Sequence, residues 1–147
     1  MSYMLDTDTC SYVIRRRPAE IAVRFARHAE DLCVSIMTAA ELRFGAEKSG
    51  RAGLVSLVEE FLARVDVFDW GGNASRHYAR IRAILEKRGT PLGSMDMRIA
   101  AHALERGAVL VTSNVKHFGM VPGIRLETPG PIASTTPAPS WPSTVGA

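Results

Sequence analysis

Cysteine is nearly absent from this chain: only Cys10 and Cys33 occur. Neither has a second Cys or a His nearby at zinc-ligand spacing, which argues against a Cys-based metal centre. In a reducing compartment both are expected to be small buried apolar side chains. Long apolar runs are missing too. None approaches the roughly 20 residues of a membrane helix, so no membrane association is expected. The N-terminus has no basic stretch followed by an apolar core, so no signal peptide is read and the cytoplasm is the expected location. Charge of one sign is not in large excess. A net charge of +3 permits a nucleic-acid partner without demanding one. No internal repeat is visible.

What is present is ordinary globular material, 46% hydrophobic and 22% charged over 147 residues. That length suits one domain with one sizeable core. The composition changes at Thr128. Beyond it Pro129, Pro131, Pro137, Pro139 and Pro142 sit among Ser, Thr, Ala and Gly. The division is therefore a folded domain over 1–127 and a disordered tail over 128–147.

Within the domain, short apolar runs alternate with helical patterns. Tyr3-Met4-Leu5, Leu32 to Ile36, Asp66 to Trp70, Ala108 to Thr112 and Ile124 to Leu126 read as strands. Helices are expected from Asp8 or Thr9 to Arg15, from Ala19 to Ala29, and from a Thr38 cap through Lys48. Others follow over Gly53 to Val65, from an Asn73 cap to Arg88, and from a Ser94 cap to Glu105. Pro18 separates the first two. In the Gly53 to Val65 helix, Leu54, Leu57, Val58, Phe61, Leu62 and Val65 make one apolar face. The alternation means an α/β fold with a mostly parallel sheet flanked by helices.

Three acids stand out against this background. Asp6 ends the first strand, where open α/β sheets bind ligands. A helix-start cap would also explain it, since Asp caps well, but one cap needs one acid and this turn holds both Asp6 and Asp8. Glu41 stands three residues after Thr38, and a capping box would satisfy it completely. Asp96 shares a stripe with Ile99, Ala100 and Ala103. The helix dipole favours an acid there by ~0.3–1 kcal/mol. A charge on an inward face costs several kcal/mol unless paired or metal-bound, so the dipole is the smaller effect. Thr112, Ser113 and Asn114 follow the fully apolar strand and read as a polar turn with oxygens at the same sheet edge. Arg43 and Arg98 each lie two residues after an acid of interest. With Lys116 they are candidate counter-charges or phosphate contacts, although surface solvation is the commoner fate. The histidines read as surface or partly buried groups, with His117 of interest for its place near the Asn114 turn.

Three carboxylates at one sheet edge suit Mg²⁺. It is a hard cation held by one or two carboxylates with water and phosphate completing its shell. Such an ion polarises a phosphoryl oxygen and activates water for in-line attack.

The order of motifs carries a resemblance. Met4-Leu5-Asp6-Thr7-Asp8 is followed by Thr38-Ala39-Ala40-Glu41-Leu42-Arg43-Phe44-Gly45-Ala46-Glu47-Lys48-Ser49. Gly89-Thr90-Pro91-Leu92-Gly93-Ser94-Met95-Asp96 comes next, and then Leu110-Val111-Thr112-Ser113-Asn114. Residues 3 to about 127 resemble a VapC toxin, the PIN-domain ribonuclease of a type II toxin–antitoxin pair. The resemblance implies a three-layer α/β/α domain with a parallel sheet of four to five strands. It implies Mg²⁺- or Mn²⁺-dependent endoribonuclease activity, with Asp6 and Asp96 as metal ligands and Glu41 as the third acid. It implies a homodimer and a VapB antitoxin whose C-terminal segment blocks the site. The branch resembles toxins that cut initiator tRNA in the anticodon loop. Two positions depart from the family pattern: His117 stands where related toxins carry a Glu, and Asp8 where they carry an Asn.

Two alternatives remain open at this level. A catalytically degenerate PIN domain would only bind RNA or antitoxin, and the His117 departure motivates it. A phosphatase of the haloacid dehalogenase type would use Asp6-Thr7-Asp8 as its D-x-D start, but Cys10 stands where that family has Thr and no later Asp-Asp pair follows a strand.

Overall fold

The computed structural model describes residues 2–16, 19–90 and 92–130. The expected break at Pro18 and residues 131–147 of the expected tail lie outside these; the tail's first three residues are described, and they are not a loose end, since Pro129 is buried and its carbonyl accepts from Arg24 at 2.9 Å. Five short strands form one parallel sheet: β1 (Tyr3–Leu5), β2 (Leu32–Ser35), β3 (Asp66–Phe68), β4 (Val109–Val111) and β5 (Leu126–Glu127). Their spatial order is β3-β2-β1-β4-β5. From β1 the chain builds outward through β2 and β3, then crosses back to lay β4 on the other side of β1. That reversal makes a topological switch point at the C-terminal ends of β1 and β4, the place where such sheets hold ligands.

Alternation along each strand divides the core into two layers. Leu5, Val34 and Val111 point to one face, where α1 (Thr7–Arg15), α2 (Ala19–His28), α3 (Ile36–Ser49) and α4 (Ala52–Ala63) cover them. Met4, Cys33 and Leu110 point to the other, under α5 (Gly72–Arg88), α6 (Ser94–Arg106) and the single turn α7 (Val115–Phe118). Phe25 and Phe61 meet in the first layer with ring centroids 5.3 Å apart. Both cysteines are buried and unpaired.

The first four strands fall where expected, with the same or shorter ends, while β5 is shifted to Leu126–Glu127 and shares only Leu126 with the expected Ile124 to Leu126. The helix starts differ in four places. Asp6 itself caps α1, its Oδ1 accepting the Thr9 N–H at 2.9 Å, so neither Asp8 nor Thr9 does so. Ser35 caps α3 by accepting the Met37 N–H at 3.1 Å, which places Thr38 inside the first turn. Gly71 and Gly93 precede α5 and α6 in the positions expected of Asn73 and Ser94. Each helix begins as soon as its strand or loop releases the chain. At α1 and α3 the later candidate is passed over because Asp6 and Ser35 already satisfy a free N–H, whereas α5 and α6 begin after glycines with no side-chain cap.

Two side-chain expectations also change. Leu57 is 47% exposed, because α4 buries only its Val58, Phe61 and Leu62 stripe. His102 is fully buried, with its Nδ1 2.7 Å from the Ser35 Oγ. It had read as a surface or partly buried group. Among the described residues, no helix is long and apolar enough to cross a membrane.

Candidate functional site

The end of β1 is fixed from two directions. The Asp6 N–H donates to the Val111 carbonyl at 3.1 Å, and the Thr9 hydroxyl donates to the same carbonyl at 3.2 Å. Asp6 is 5% exposed. Burial pushes its carboxyl above the ordinary value of 3.8, while hydrogen bonds from Thr112 and Thr9 pull the other way. The Thr112 hydroxyl accepts the Asn114 N–H at 2.9 Å, so the turn after β4 leans on the acid at the end of β1. Thr112 thus supports Asp6, and Asn114 supports Thr112. Neither relation is visible from a polar turn read alone.

Asp96 enters from α6. With Gly93 at the N-cap it is the third residue of the helix, not the second. Ile99, Ala100 and Ala103, on its stripe, are at most 1% exposed. The carboxylate itself is half-buried. It lies over Gly93, where a Cβ would stand 3.9 Å from Asp96 Oδ2, an ordinary van der Waals contact. Burial raises the Asp96 carboxyl above 3.8, and the charges of Asp6, Asp8 and Glu41 raise it further, with His117 opposing. Five residues from four elements thus share one electrostatic neighbourhood. Glu41 belongs to it through α3, where its capping explanation disappears because Ser35 holds the cap. Asp8, on the first turn of α1, belongs to it as well.

No ion pair among the described residues reaches any of these four acids. The basic groups expected as counter-charges are occupied elsewhere. Arg43 makes a bidentate pair with Glu59, at 2.8 and 3.0 Å. The Arg98 guanidinium lies 5.1 Å from the Tyr78 ring centroid and donates to Ser94 Oγ at 3.2 Å. Lys116 is exposed on α7. The His117 Nδ1 lies 2.6 Å from Asn114 Oδ1, which ties it to the turn after β4.

The donor set is all oxygen, of the type a hard divalent cation takes. Among the described residues, no three or more His, Cys, Asp or Glu side chains stand close enough together to hold a metal ion between them. Mg²⁺ does not require such a group, since one or two carboxylates with waters and a phosphate complete its shell. One buried polar atom without a partner lies on the helix that carries Glu41. The Thr38 Oγ1, one helical turn before Glu41, is buried with no hydrogen-bond partner.

Mutual repulsion has a measurable consequence for stability. A carboxyl whose folded pKa is raised takes up its proton in the folded state first, so stability rises as pH falls. For Asp6 and Asp96 the gain should run from their raised folded values down to the ordinary 3.8, where it levels off. Thermal melts of the metal-free chain from pH 7 to 4 should show it. Mutating both acids to Asn should flatten that part of the profile, and an unchanged profile would refute the assignment.

The PIN domain profile matches residues 3–121. The tRNA(fMet)-specific endonuclease VapC of Salmonella typhimurium is 42% identical over 128 residues, covering 86% of this chain and 97% of that protein. The chain belongs to the VapC family of PIN-domain proteins. Ribonuclease VapC2 of Haemophilus influenzae (strain Rd) is likewise 42% identical, with the same coverage. Among solved structures, DNA-bound VapBC from Salmonella typhimurium matches this PIN domain with a TM-score of 0.83. The match has 42% identity and covers 88% of this chain and 98% of that one. VapBC2 from Rickettsia felis, bound to a DNA fragment from its promoter, gives 0.81 at 33% identity over 87% and 98%. The three-layer PIN architecture expected from the resemblance is therefore present, with five strands. The phosphatase alternative falls with it.

Proposed function

We propose that this PIN domain is a Mg²⁺-dependent endoribonuclease, the toxin of a toxin–antitoxin pair, with Mn²⁺ able to replace Mg²⁺. The observation that carries the reading is Asp96. It is a half-buried acid raised by burial and by three neighbouring carboxylates, with His117 opposing and no ion pair reaching it among the described residues. A bound divalent cation relieves that arrangement and, when present, supplies a polarised phosphoryl oxygen and an activated water.

The chain's own residues have separate tasks in this reading. Asp6 and Asp96 hold the cation. Glu41 orients the attacking water toward phosphorus. Asp8 adds negative charge to a site in which the family's fourth acid is replaced by His117. Thr112 and Asn114 keep the Asp6 carboxylate in place through the hydrogen bonds described above. The substrate is RNA, and initiator tRNA is favoured by the tRNA(fMet)-specific relatives. The partner is a VapB-type antitoxin, in keeping with the VapBC assemblies among the solved relatives. The toxin is a homodimer, and it works in the cytoplasm, where its tRNA substrate is found.

Purified chain, stripped of antitoxin, should cut initiator tRNA in Mg²⁺ or Mn²⁺ and stop when EDTA is added. Cleavage that persists in EDTA would overturn the metal reading. RNA binding without any cleavage would instead favour the degenerate, binding-only PIN domain.

A further inference from the structure

Ser35 and His102 form a polar contact in an otherwise apolar place. Both are 0% exposed. The Ser35 Oγ accepts the Met37 N–H at 3.1 Å, and its own hydroxyl hydrogen is left for the His102 Nδ1, 2.7 Å away. With Nδ1 as the acceptor the ring is neutral and its proton sits on Nε2. Burial lowers its pKa below the ordinary 6.5, which supports the same state. Nε2 makes no hydrogen bond of ordinary geometry, although the Asp69 backbone lies near enough to the ring to oppose the lowering. An apolar side chain would fill this position without burying two ring nitrogens. The histidine is thus a poor choice for stability alone, and what it provides is a directional link between two elements.

The two elements are the ones that carry the acids. Ser35 begins α3, and Glu41 lies six residues further along it. His102 lies on α6, six residues after Asp96. At 1.5 Å per residue each acid stands about 9 Å along a rigid helix from the contact. A shift of the contact is carried to the carboxylates, because helices move as units and a packed core resists bending them. Neither residue touches the cation or the RNA. We propose that the Ser35–His102 hydrogen bond is a positioning strut that sets the separation of Glu41 and Asp96, and so sets the affinity of the site for a divalent cation. The proposal rests on the metal-site reading above.

The test uses Mn²⁺ itself as the probe, titrated by calorimetry into the full chain freed of antitoxin. Wild type, His102→Leu, His102→Asn, Ser35→Ala and Asp96→Asn are compared, each with its melting curve. Removing a group hydrogen-bonded to a metal ligand typically weakens the site by roughly 10- to 100-fold, and a strut that acts only through the helices belongs at the lower end. His102→Leu and Ser35→Ala should each bind Mn²⁺ roughly tenfold more weakly. His102→Asn keeps an acceptor near the Nδ1 position and should stay close to wild type. A merely structural histidine would instead give melting shifts with Mn²⁺ affinity unchanged. Wild-type affinity in both His102→Leu and Ser35→Ala overturns the strut while leaving the metal site intact. Ser35→Ala carries the test alone should the leucine variant not fold. Equal binding by wild type and Asp96→Asn, or no binding by wild type, overturns the metal site and the strut with it.

Discussion

Asp96→Asn should remove RNA cleavage while making the metal-free chain more stable. The amide keeps the shape of the carboxylate and its place near Gly93, so the fold has no steric reason to change. The charge is what disappears. A preorganised electrostatic group at a reacting centre is commonly worth on the order of 10²–10³ in rate, and a loss of that size is expected in single-turnover cleavage of tRNA. The same change relieves burial of a charge against Asp6, Asp8 and Glu41. The melting temperature at neutral pH should therefore rise, opposite to the usual sign for a substitution at a half-buried position. Cleavage within a few-fold of wild type would remove Asp96 from the chemistry. Lost cleavage together with a lower melting temperature would mean that the acid serves the fold.

Leu110→Ala should be the most damaging of the simple truncations. Leu110 is 0% exposed on β4, beside Met4 of β1 and Leu126 of β5, in the layer covered by α5 and α6. Its neighbours belong to a sheet and cannot collapse into the vacated space, so both the transfer and the cavity costs apply. A loss of about 3–4 kcal/mol is expected, a large part of the ~5–15 kcal/mol typical of a domain. Leu57→Ala is the control. With nearly half its surface already in water, it should cost less than about 1 kcal/mol. Urea denaturation of both variants decides the point. Similar losses would mean that the packing described for β4 or for α4 is wrong.

How far the sequence alone reached can be judged from particular residues. The strands were legible because each is a short run of apolar or β-branched residues next to a helical pattern. The parallel sheet followed from their alternation. Helix starts were less legible, because Asp8, Thr38, Asn73 and Ser94 are all chemically able to cap. The choice among candidates depends on where the preceding strand releases the chain. That same fact strengthened Glu41, whose rival explanation depended on Thr38 as the cap. Asp96 was legible because a charge on an apolar stripe conflicts with elementary solvation. The burial of His102 was not, because attention to the Asp96 stripe hides the rest of α6. The signal that could have revealed it is the run of small residues around it. Ala100, Ala101 and Ala103 let neighbours approach closely, and α6 is buried from Met97 to Ala103 apart from Arg98. The support that Thr112 gives Asp6 was illegible for another reason: it joins residues more than a hundred positions apart.

The position of β1 in the middle of the sheet has a consequence for motion. Its N–H and C=O groups are held by β2 on one side and β4 on the other, and the Asp6 N–H continues the ladder to Val111. Fraying at an edge strand cannot free them. Amide hydrogen exchange at Leu5 and Asp6 should therefore occur only through opening of the whole domain, among the slowest in the chain, whereas Glu127 on edge strand β5 should exchange through local excursions. The acid at the end of β1 is thus seated on the part of the backbone least given to fluctuation, so that any adjustment to an incoming RNA strand falls to the helices and loops around it.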